Sequence, residues 1–379
     1  MDKQKIIIPP QCIGIMGGGQ LGRMLTIEAK QMGYKIAILD PDISCPASKF
    51  ADYHVKTRFD DANGLDELAK LSDVITTEFE NVPATSLEYL NQKTTVLPHY
   101  TAVKISQNRI LEKEFFNTNG VPTTKFAPIN SLDDITNKVS DLLPGILKTT
   151  TLGYDGKGQI TVTNTSELAA AFFSLRKVPC ILEKTVDLKQ EVSILVARNA
   201  TEKMVYPVVE NQHRNGILDI TIAPARIESA LKNKITQLGL LIIEKLDYIG
   251  VLAIEFFIDT NDNILVNEMA PRPHNSGHYT LDVCHTSQFE QQLRAICNLK
   301  LGQTALITSS IMLNLLGDVW PNELEHPKWE NILTKYDNLK LHLYEKNEAK
   351  PGRKMGHLTI LGDNLEHLED EINEIRKLL

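Results

Sequence analysis

Short apolar runs alternate with amphipathic stretches of helical length over the first hundred residues. The segments CIGIM, KIAILD and DVITTEF have the character of buried strands, and QLGRMLTIEAKQM, LDELAKL and ATSLEYL have the period of helices. Strands and helices that alternate at this spacing form βαβ units around a parallel sheet. The pattern therefore predicts an α/β, Rossmann-like domain over residues 1–105.

The next two hundred residues, 106–300, are predicted to form a larger α+β domain. A helix, ISQNRILEKEFFNTNG, is expected to end at Gly120. Residues 123–185 then alternate strands and helices around a glycine-rich loop, with a helix at SLDDITNKVSDLL, and this segment is predicted to be a small lid subdomain. Strands dominate after it, followed by a helix at 226–246 and by two apolar runs, VLAIEFFI and ILVNEM, that flank a polar turn and predict a hairpin.

Residues 301–379 mix strands with helices and predict a small C-terminal α+β domain. The clearest element is the last helix, because Leu365, Leu368, Ile372, Ile375 and Leu379 recur at intervals of three and four. Three domains agree with the chain length of 379 residues.

The composition, with 42% apolar and 23% charged residues, is that of a globular protein. The 40 basic and 48 acidic residues give a net charge of −8, which argues against a nucleic-acid polymer as partner, because binders of a phosphate backbone concentrate positive charge. The five cysteines include no CxxC pair, and no apolar stretch approaches the roughly 18 residues of a membrane span. We expect a cytoplasmic protein with no membrane and no nucleic-acid partner.

The first glycine-rich segment, GIMGGGQLG, matches a dinucleotide fingerprint. Gly17, Gly19 and Gly22 fit G-x-G-x-x-G between a predicted strand and a predicted helix, and Asp40 ends the next strand. Backbone amides at a helix N-terminus suit a phosphate. A nicotinamide site, a site for another phosphate ligand and a merely tight turn all remain open at this stage.

A second glycine-rich segment, TLGYDGKGQ, lies at 151–159 between two predicted strands. Its glycines and Lys157 could form a cradle over a polyphosphate, although it lacks the GK[ST] ending of a P-loop, and a mobile hairpin is the alternative. Lys148 lies in the apolar strand before it, and a buried lysine needs an anionic partner. We therefore favour an anion site here.

The predicted hairpin carries one glutamate on each strand. If pairing is antiparallel about a point between Asn261 and Asp262, Glu255 and Glu268 are cross-strand neighbours, with Cβ atoms about 5 Å apart. Two carboxylates this close in apolar strands repel unless one is protonated or a cation lies between them, and such a pair suits Mg²⁺. The alternatives are an exposed pair or a one-residue register shift, which would separate the two side chains.

Two polar segments add candidate chemistry. The loop APRPHNSGH brings Arg272, His274, Asn275 and His278 together, and an arginine fork suits a carboxylate or phosphate. A zinc site with Cys284 and His285 is disfavoured, since the segment has neither CxxC nor HExxH. Near the C-terminus, a basic loop contains Lys346, Lys350, Arg353 and Lys354, and it is either an anion site or a solvated turn.

In combination these motifs resemble a known family. Lys148, GYDGKGQ, ILEKTV and the pair Glu255 and Asn267-Glu268 resemble the ATP-grasp superfamily. GGGQLGRM, TTEFENV, NEMAPRPHNSGH and PGRKMGHL are similar to the 5-(carboxyamino)imidazole ribonucleotide synthases of purine biosynthesis. The resemblance implies an ATP-grasp fold with an N-terminal preATP-grasp domain. It also implies an ATP- and bicarbonate-dependent carboxylation of 5-aminoimidazole ribonucleotide, in a homodimer.

The resemblance also implies roles for individual residues toward ATP and Mg²⁺. Arg109 and Lys148 would contact phosphates, Glu191 the ribose and His213 the nucleotide, while Glu255 and Glu268 would hold Mg²⁺. The residues implied to close over the phosphates are Gly153, Tyr154, Asp155, Gly156, Lys157, Gly158 and Gln159, and those implied to hold the adenine are Glu183, Lys184, Thr185 and Val186. Many members carry Asn where this chain has Ala270, so the third metal ligand stays open, with Asn267 a candidate.

For the ribonucleotide, the resemblance implies a cleft between the first and last domains. Its implied residues are Gln20, Leu21, Glu78 and Asn275 for the nucleotide, Lys346 and Arg353 for the 5′-phosphate, and Arg272 and His274 nearer the reacting centre. Alternatives are a formate-dependent glycinamide ribonucleotide formylation, a non-catalytic ATP sensor and, more distantly, a nicotinamide dehydrogenase.

Overall fold

The computed structural model describes residues 5–135, 137–151, 153, 158–322 and 325–379. The first domain contains a parallel sheet in the order β3-β2-β1-β4-β5. Its elements are β1 (Cys12–Met16), α1 (Gln20–Gln31), β2 (Lys35–Leu39), β3 (Tyr53–Val55), α2 (Ala62–Leu71), β4 (Val74–Thr77), α3 (Ala84–Asn91) and β5 (Thr95–Val96). Every residue of β1 is buried, as expected for a central strand covered on both faces. The Rossmann-like prediction is confirmed.

Two helices, α4 (Tyr100–Ser106) and α5 (Arg109–Thr118), connect this domain to the rest of the chain. The single helix predicted from Ile105 onward is wrong in its first turn. Asn108 is extended, and its side-chain oxygen accepts hydrogen bonds from the amides of Ile110 and Leu111, so it caps a new helix. Arg109 thereby begins α5.

The lid subdomain is a four-stranded antiparallel sheet in the order β6-β9-β7-β8. Its elements are β6 (Phe126–Ile129), β7 (Gly145–Thr149), β8 (Gln159–Val162), α6 (Thr165–Ser174) and β9 (Cys180–Lys184). The α-helix predicted at 131–143 is wrong, because 3₁₀ turns form at Leu132–Asp134 and Asn137–Leu142. Ser131 and Asp134 form a reciprocal capping box around the first turn, which is therefore satisfied locally without a longer helix.

The remaining strands form one large sheet in the order β15-β14-β10-β12-β13-β16-β18-β17, with β11 paired to β10. Its elements are β10 (Leu188–Arg198), β11 (Lys203–Val205), β12 (Val209–Arg214), β13 (Ile217–Ala223), α7 (Ser229–Lys245), β14 (Gly250–Asp259), β15 (Ile264–Ala270), α8 (Thr280–Val283), α9 (Gln288–Ile296), β16 (Ser310–Leu316), α10 (Glu330–Leu333), β17 (Leu339–Leu343), β18 (Lys354–Leu361) and α11 (Leu365–Leu378). The predicted C-terminal α+β segment therefore extends the sheet of the preceding domain through the β13–β16 pair.

The last helix packs as its period predicts. Leu368, Ile372 and Ile375 of α11 are buried, and they belong to an apolar cluster with Leu313 of β16 and Leu358 of β18. None of the helices in the described part of the chain combines the length and apolar character that a bilayer crossing requires.

Candidate active site

A cavity of about 980 Å³ lies where the first domain, the lid and the large sheet meet. It gathers residues that are far apart in the sequence, from α1 to the β17–β18 hairpin. The predicted site residues that line it are Gln20, Leu21, Glu78, Arg109, Lys148, Gly153, Gln159, Glu191, His213, Glu255, Asn267, Glu268, Arg272, His274, Asn275, Lys346 and Arg353. Those described elsewhere are Gly158, Glu183, Lys184, Thr185 and Val186, and Tyr154, Asp155, Gly156 and Lys157 lie outside the described residues.

Glu255 of β14 and Glu268 of β15 face each other across the hairpin, as predicted. The register needed for this pair does not start at the turn. From Ile258 to Phe256 the strands pair in one register, and a β-bulge then shifts the pairing by one residue, so that Asn267 is extra. Without the bulge, Glu255 would oppose Asn267, and Glu268 would point to the other face of the sheet.

The two carboxylates create a negative centre at the wall of the cavity. Burial, followed by the charge of Glu268, raises the pKa of Glu255 to about 7. The neighbouring side chains are the Arg109 guanidinium, whose Nη1 lies 3.2 Å from Glu268 Oε2, and the His274 imidazole, whose Nε2 lies 3.5 Å from Glu255 Oε1. Facing carboxylate oxygens, with the Asn267 amide on the same cavity, are the oxygen ligands that Mg²⁺ prefers.

Two cations flank this centre on the side of the lid. Arg109 also approaches the carbonyl of Gly153, at 3.4 Å, and although burial opposes its charge, Glu268, Glu112 and Glu183 raise its pKa. Lys148 of β7 is 9% exposed, and its Nζ donates to Glu183 Oε2 at 3.1 Å. The anionic partner expected for a buried lysine is therefore Glu183.

Glu183 of β9 is engaged inside the protein. Burial disfavours its charge, but Lys113 and Lys148 outweigh burial and lower its pKa to about 2. The next two side chains bind neighbouring backbone, with Lys184 Nζ donating to the carbonyl of Asp141 and Thr185 Oγ1 to that of Pro144. What this strand end offers a ligand is therefore mainly its backbone.

Glu191 and His213 lie on adjacent strands, β10 and β12, with Glu191 Oε2 2.6 Å from His213 Nδ1. Burial acts against protonation of His213, but Glu191 and then Glu255 raise its pKa above the ordinary value. His213 therefore fixes the Glu191 carboxylate at the cavity wall.

Sequence reasoning missed two charged residues on α5. Glu112 and Lys113 are 2% and 1% exposed. Glu112 accepts a hydrogen bond from the amide of Met269 at 2.8 Å, and burial together with the charge of Glu268 raises its pKa to about 8. A signal was present, because positions 112 and 113 share the helix face of Phe116, which is fully buried.

The first glycine-rich segment binds the protein's own carboxylates. The amides of Gly19 and Gly22 donate to the two oxygens of Glu78 at 2.9 and 3.0 Å, and the amide of Gly18 donates to Asp40 at 2.7 Å. These are the donors that a dinucleotide pyrophosphate would need. The segment is thus the tight turn among the three alternatives, and it presents Gln20, Leu21 and Glu78 to the cavity.

The loop after β15 contributes three polar side chains. The guanidinium of Arg272 pairs with Glu80 through Nε and Nη2. The amide of Ser276 donates to His274 Nδ1, which places the imidazole proton on Nε2, toward Glu255, and burial lowers the pKa of His274 well below its ordinary value. Asn275 is 7% exposed, and neither polar atom of its amide has a hydrogen-bond partner among the described residues.

The basic loop between β17 and β18 also lines the cavity. Lys346 Nζ donates to the carbonyl of Lys354 at 2.7 Å, and Arg353 Nη1 donates to that of Glu348 at 2.8 Å. Lys346, Lys350, Arg353 and Lys354 all line the cavity, and Lys350 Nζ pairs with a carboxylate oxygen of Glu348.

Comparisons with known proteins agree along the whole chain. Three family models match: a ribonucleotide synthetase preATP-grasp domain at 11–107, an ATP-grasp domain at 114–289 and a phosphoribosylaminoimidazole carboxylase C-terminal domain at 310–371. An N5-carboxyaminoimidazole ribonucleotide synthase of Bacillus subtilis is 42% identical, over 95% of this chain and 94% of the relative.

Solved structures are similar over the same extent. The chain resembles an ADP complex of an N5-carboxyaminoimidazole ribonucleotide synthetase at a TM-score of 0.92 and 40% identity, covering 99% of this chain and 98% of the other. It also resembles the synthase of Aspergillus clavatus in complex with ADP and 5-aminoimidazole ribonucleotide, at a TM-score of 0.89 and 32% identity over 97% and 98% of the two chains.

Proposed function

The chain belongs to the N5-carboxyaminoimidazole ribonucleotide synthase family of ATP-grasp ligases, and from this membership we propose the reaction that it catalyses. ATP and bicarbonate carboxylate the 5-amino group of 5-aminoimidazole ribonucleotide, with release of ADP and phosphate, in the biosynthesis of purines. The observation that carries the proposal is the shared cavity, whose lining includes carboxylates and cations for a metal-bound nucleotide as well as a basic loop for a phosphate.

The reaction has two chemical steps. A bicarbonate oxygen attacks the γ-phosphorus of ATP, the bond to the β-phosphate oxygen breaks, and carboxyphosphate and ADP result. The amine nitrogen then attacks the carboxyl carbon of carboxyphosphate, or CO₂ released from it, and phosphate leaves as the amine loses a proton. Phosphoryl transfer needs positioning and charge neutralisation more than covalent help from the protein.

Residues at the nucleotide end hold ATP for the first step. Arg109 and Lys148 bind phosphate oxygens, Glu191 binds the ribose with His213 beside it, and the backbone from Glu183 to Val186 binds the adenine. The segment from Gly153 through Tyr154, Asp155, Gly156, Lys157 and Gly158 to Gln159 closes over the phosphates and keeps water from carboxyphosphate.

Glu255 and Glu268 would hold Mg²⁺, and Asn267 is the candidate third ligand, because Ala270 stands where many family members carry an asparagine. When bound, the ion would supply positive charge to offset that of the phosphates. The carboxylate pair fits a cation because burial and mutual repulsion disfavour two negative charges without one.

Residues at the other end hold the ribonucleotide and bicarbonate. Gln20, Leu21 and Glu78 meet the nucleotide, and Lys346 and Arg353 take its 5′-phosphate. Arg272, fixed by Glu80, neutralises the anion formed from bicarbonate, with Asn275 beside it. His274 carries its proton on Nε2 and is therefore a hydrogen-bond donor in this state.

The same membership supports a proposal for the working form and the location. We place the enzyme in the cytoplasm as a homodimer, and its five cysteines, all unpaired and buried, agree with a reducing compartment.

Phosphate release from ATP tests the reaction directly. The purified chain with Mg²⁺ is offered bicarbonate or formate in combination with 5-aminoimidazole ribonucleotide or glycinamide ribonucleotide. We expect phosphate release only with bicarbonate and 5-aminoimidazole ribonucleotide. When the bicarbonate is labelled, the label should appear in the carboxylated product if the product is analysed before it decomposes. Activity confined to formate and glycinamide ribonucleotide, or nucleotide binding without turnover on any pair, would refute the proposal.

A further inference from the structure

Lys113 is a buried basic residue for which neither the proposed chemistry nor the sequence motifs supply a role, and although burial lowers its pKa, the charge of Glu183 opposes that shift. It lies on α5, one helical turn after Arg109, so both side chains leave the same face of the helix. Arg109 lines the cavity and Lys113 does not. Lys113 is thus placed behind the site, where it cannot touch the reacting atoms.

The Lys113 ammonium meets two different parts of the molecule. Its oxygen neighbours are Asn267 O at 2.9 Å, Val266 O at 3.4 Å, Thr123 Oγ1 at 2.9 Å, Thr124 Oγ1 at 3.4 Å and Glu183 Oε2 at 3.6 Å. The first two belong to the metal-binding strand β15, and the last belongs to β9 of the lid. A single cation therefore joins both.

On the β15 side, Lys113 contacts the bulge itself. Asn267 is the extra residue that turns Glu268 onto the face of Glu255. A bulge disrupts the ladder locally, and the carbonyls of Val266 and Asn267 obtain a charged donor from Lys113. Thr123 Oγ1 adds a second donor to Val266 O at 2.9 Å. Lys113 and Thr123 therefore stabilise the local register that brings Glu255 and Glu268 together.

On the lid side, Lys113 contributes to fixing Glu183. That carboxylate also accepts hydrogen bonds from Lys148 at 3.1 Å and Thr124 at 3.2 Å. Because Lys148 lines the cavity, the position of Glu183 decides where the Lys148 ammonium points. A shift of Lys113 would therefore move the phosphate-binding lysine and the metal-binding carboxylate together.

We propose that Lys113 is a positioning residue that couples the lid to the metal-binding strand, so that the nucleotide phosphates and the metal ion are held in mutual register. The inference rests on the proposed function through the roles given to Lys148, Glu255 and Glu268. It adds a residue that acts through them and does not itself touch the substrate.

The test measures the binding of ADP by calorimetry, with and without Mg²⁺, in the full chain. Lys113→Met keeps the length of the side chain and removes its charge. We expect affinity for ADP with Mg²⁺ to fall by at least about tenfold, affinity without Mg²⁺ to fall clearly less, and the Mg²⁺ concentration for half-maximal phosphate release to rise. Lys113→Arg, which retains the charge, should recover part of the loss.

The matched control is Lys104→Met, which changes an exposed lysine on the preceding helix and should bind as the unaltered chain does. Thr123→Val provides a second reading if Lys113→Met does not fold, because it leaves the ammonium in place and removes one hydroxyl from the cluster. It should shift the Mg²⁺ dependence in the same direction by a smaller factor.

Two results would overturn the proposal. One is unchanged binding of ADP with Mg²⁺ in folded Lys113→Met, and the other is an equal loss with and without Mg²⁺. Because ADP binding needs no amine, these results are independent of carboxylation. A chain that couples ADP to Mg²⁺ through Lys113 but does not carboxylate 5-aminoimidazole ribonucleotide would remove the proposed function and leave the role of Lys113 standing.

Discussion

The molecule contains two clusters of like titratable side chains, and their surroundings differ. Glu112, Glu255 and Glu268 lie along the wall of the cavity. His278, His342 and His357 lie between the loop after β15 and the β17–β18 hairpin, and His278 and His357 are fully buried. The imidazoles form a stack, with ring centroids 4.7 Å apart for His278 and His357 and 4.5 Å apart for His342 and His357.

The two fully buried histidines of this cluster, His278 and His357, favour the neutral form. Burial, followed by the neighbouring histidines, lowers the pKa of His278 and His357 well below the ordinary value. Ligand atoms of Asp282, His342 and His357 lie within 4.8 Å of one another, yet the rings of His342 and His357 are only 15° from parallel. Their in-plane lone pairs therefore run side by side and do not converge on one ion.

The carboxylates differ from the histidines in their access to a compensating ion. They border a space that a cation can enter, and Glu268 remains 43% exposed at its side chain. Burial and repulsion shift both clusters toward the neutral form, but only the carboxylates border a cavity from which a cation can favour their charged form. The comparison explains why clustering of titratable side chains alone does not identify a metal site.

The largest effect should come from Glu268→Gln. The variant removes one charge from the carboxylate pair and the ion-pair partner of Arg109. We expect ATP-dependent phosphate release at saturating Mg²⁺ to fall by roughly 10³-fold. Glu114→Gln, at an exposed position of α5, is the control. If Glu268→Gln keeps its rate and its Mg²⁺ dependence, the carboxylate cluster does not serve a cation and the contrast with the histidines fails.

A smaller effect is expected from Arg353→Ala, in the basic loop that lines the cavity. Loss of one charge-assisted contact to the 5′-phosphate should raise KM for the ribonucleotide by about 10- to 100-fold, the equivalent of about 1.5–3 kcal/mol. KM for ATP should stay unchanged, as should both constants in Lys340→Ala, which alters an exposed residue of β17. If KM for ATP rises instead, the basic loop binds ATP and not the ribonucleotide.

The carboxylate pair shows how far the sequence could lead. Residue counting about a point between Asn261 and Asp262 pairs Glu255 with Glu268, and this pair is present. Near the turn, however, the register differs by one, and only the bulge at Asn267 restores it. The bulge depends in part on contacts from Lys113, which is 154 positions away in the sequence, and local periodicity carries no information about such a donor.

Other errors have the same origin. The segment at 131–143 has a helical pattern, but Ile135, at φ −82° and ψ 76°, leaves the helical region directly after the first turn. Glu112 and Lys113 were passed over because charged residues in a helix are usually solvated, and their partners come from strands that pack against α5 only in the folded chain. The order of the motifs along the chain predicts the family correctly, because it does not depend on any single contact in the folded structure.

The smallest effect concerns stability and tests the histidine cluster through pH. Since the folded-state pKa of His278 and His357 is depressed, the unfolded chain binds more protons below about pH 6.5, and the free energy of unfolding must decrease as pH falls through that region. Each histidine contributes at most about 1.4 kcal/mol per pH unit to this decrease.

Asp282, Lys354, Arg272 and the Tyr344 hydroxyl surround the stack and are unchanged in His357→Gln. Urea unfolding of that variant between pH 7 and pH 5 should show a shallower slope than the unaltered chain, while His285→Gln, at an exposed site, should keep the full slope. Equal slopes in all three proteins would mean that the stack is not held neutral, and the distinction between the two clusters would be lost.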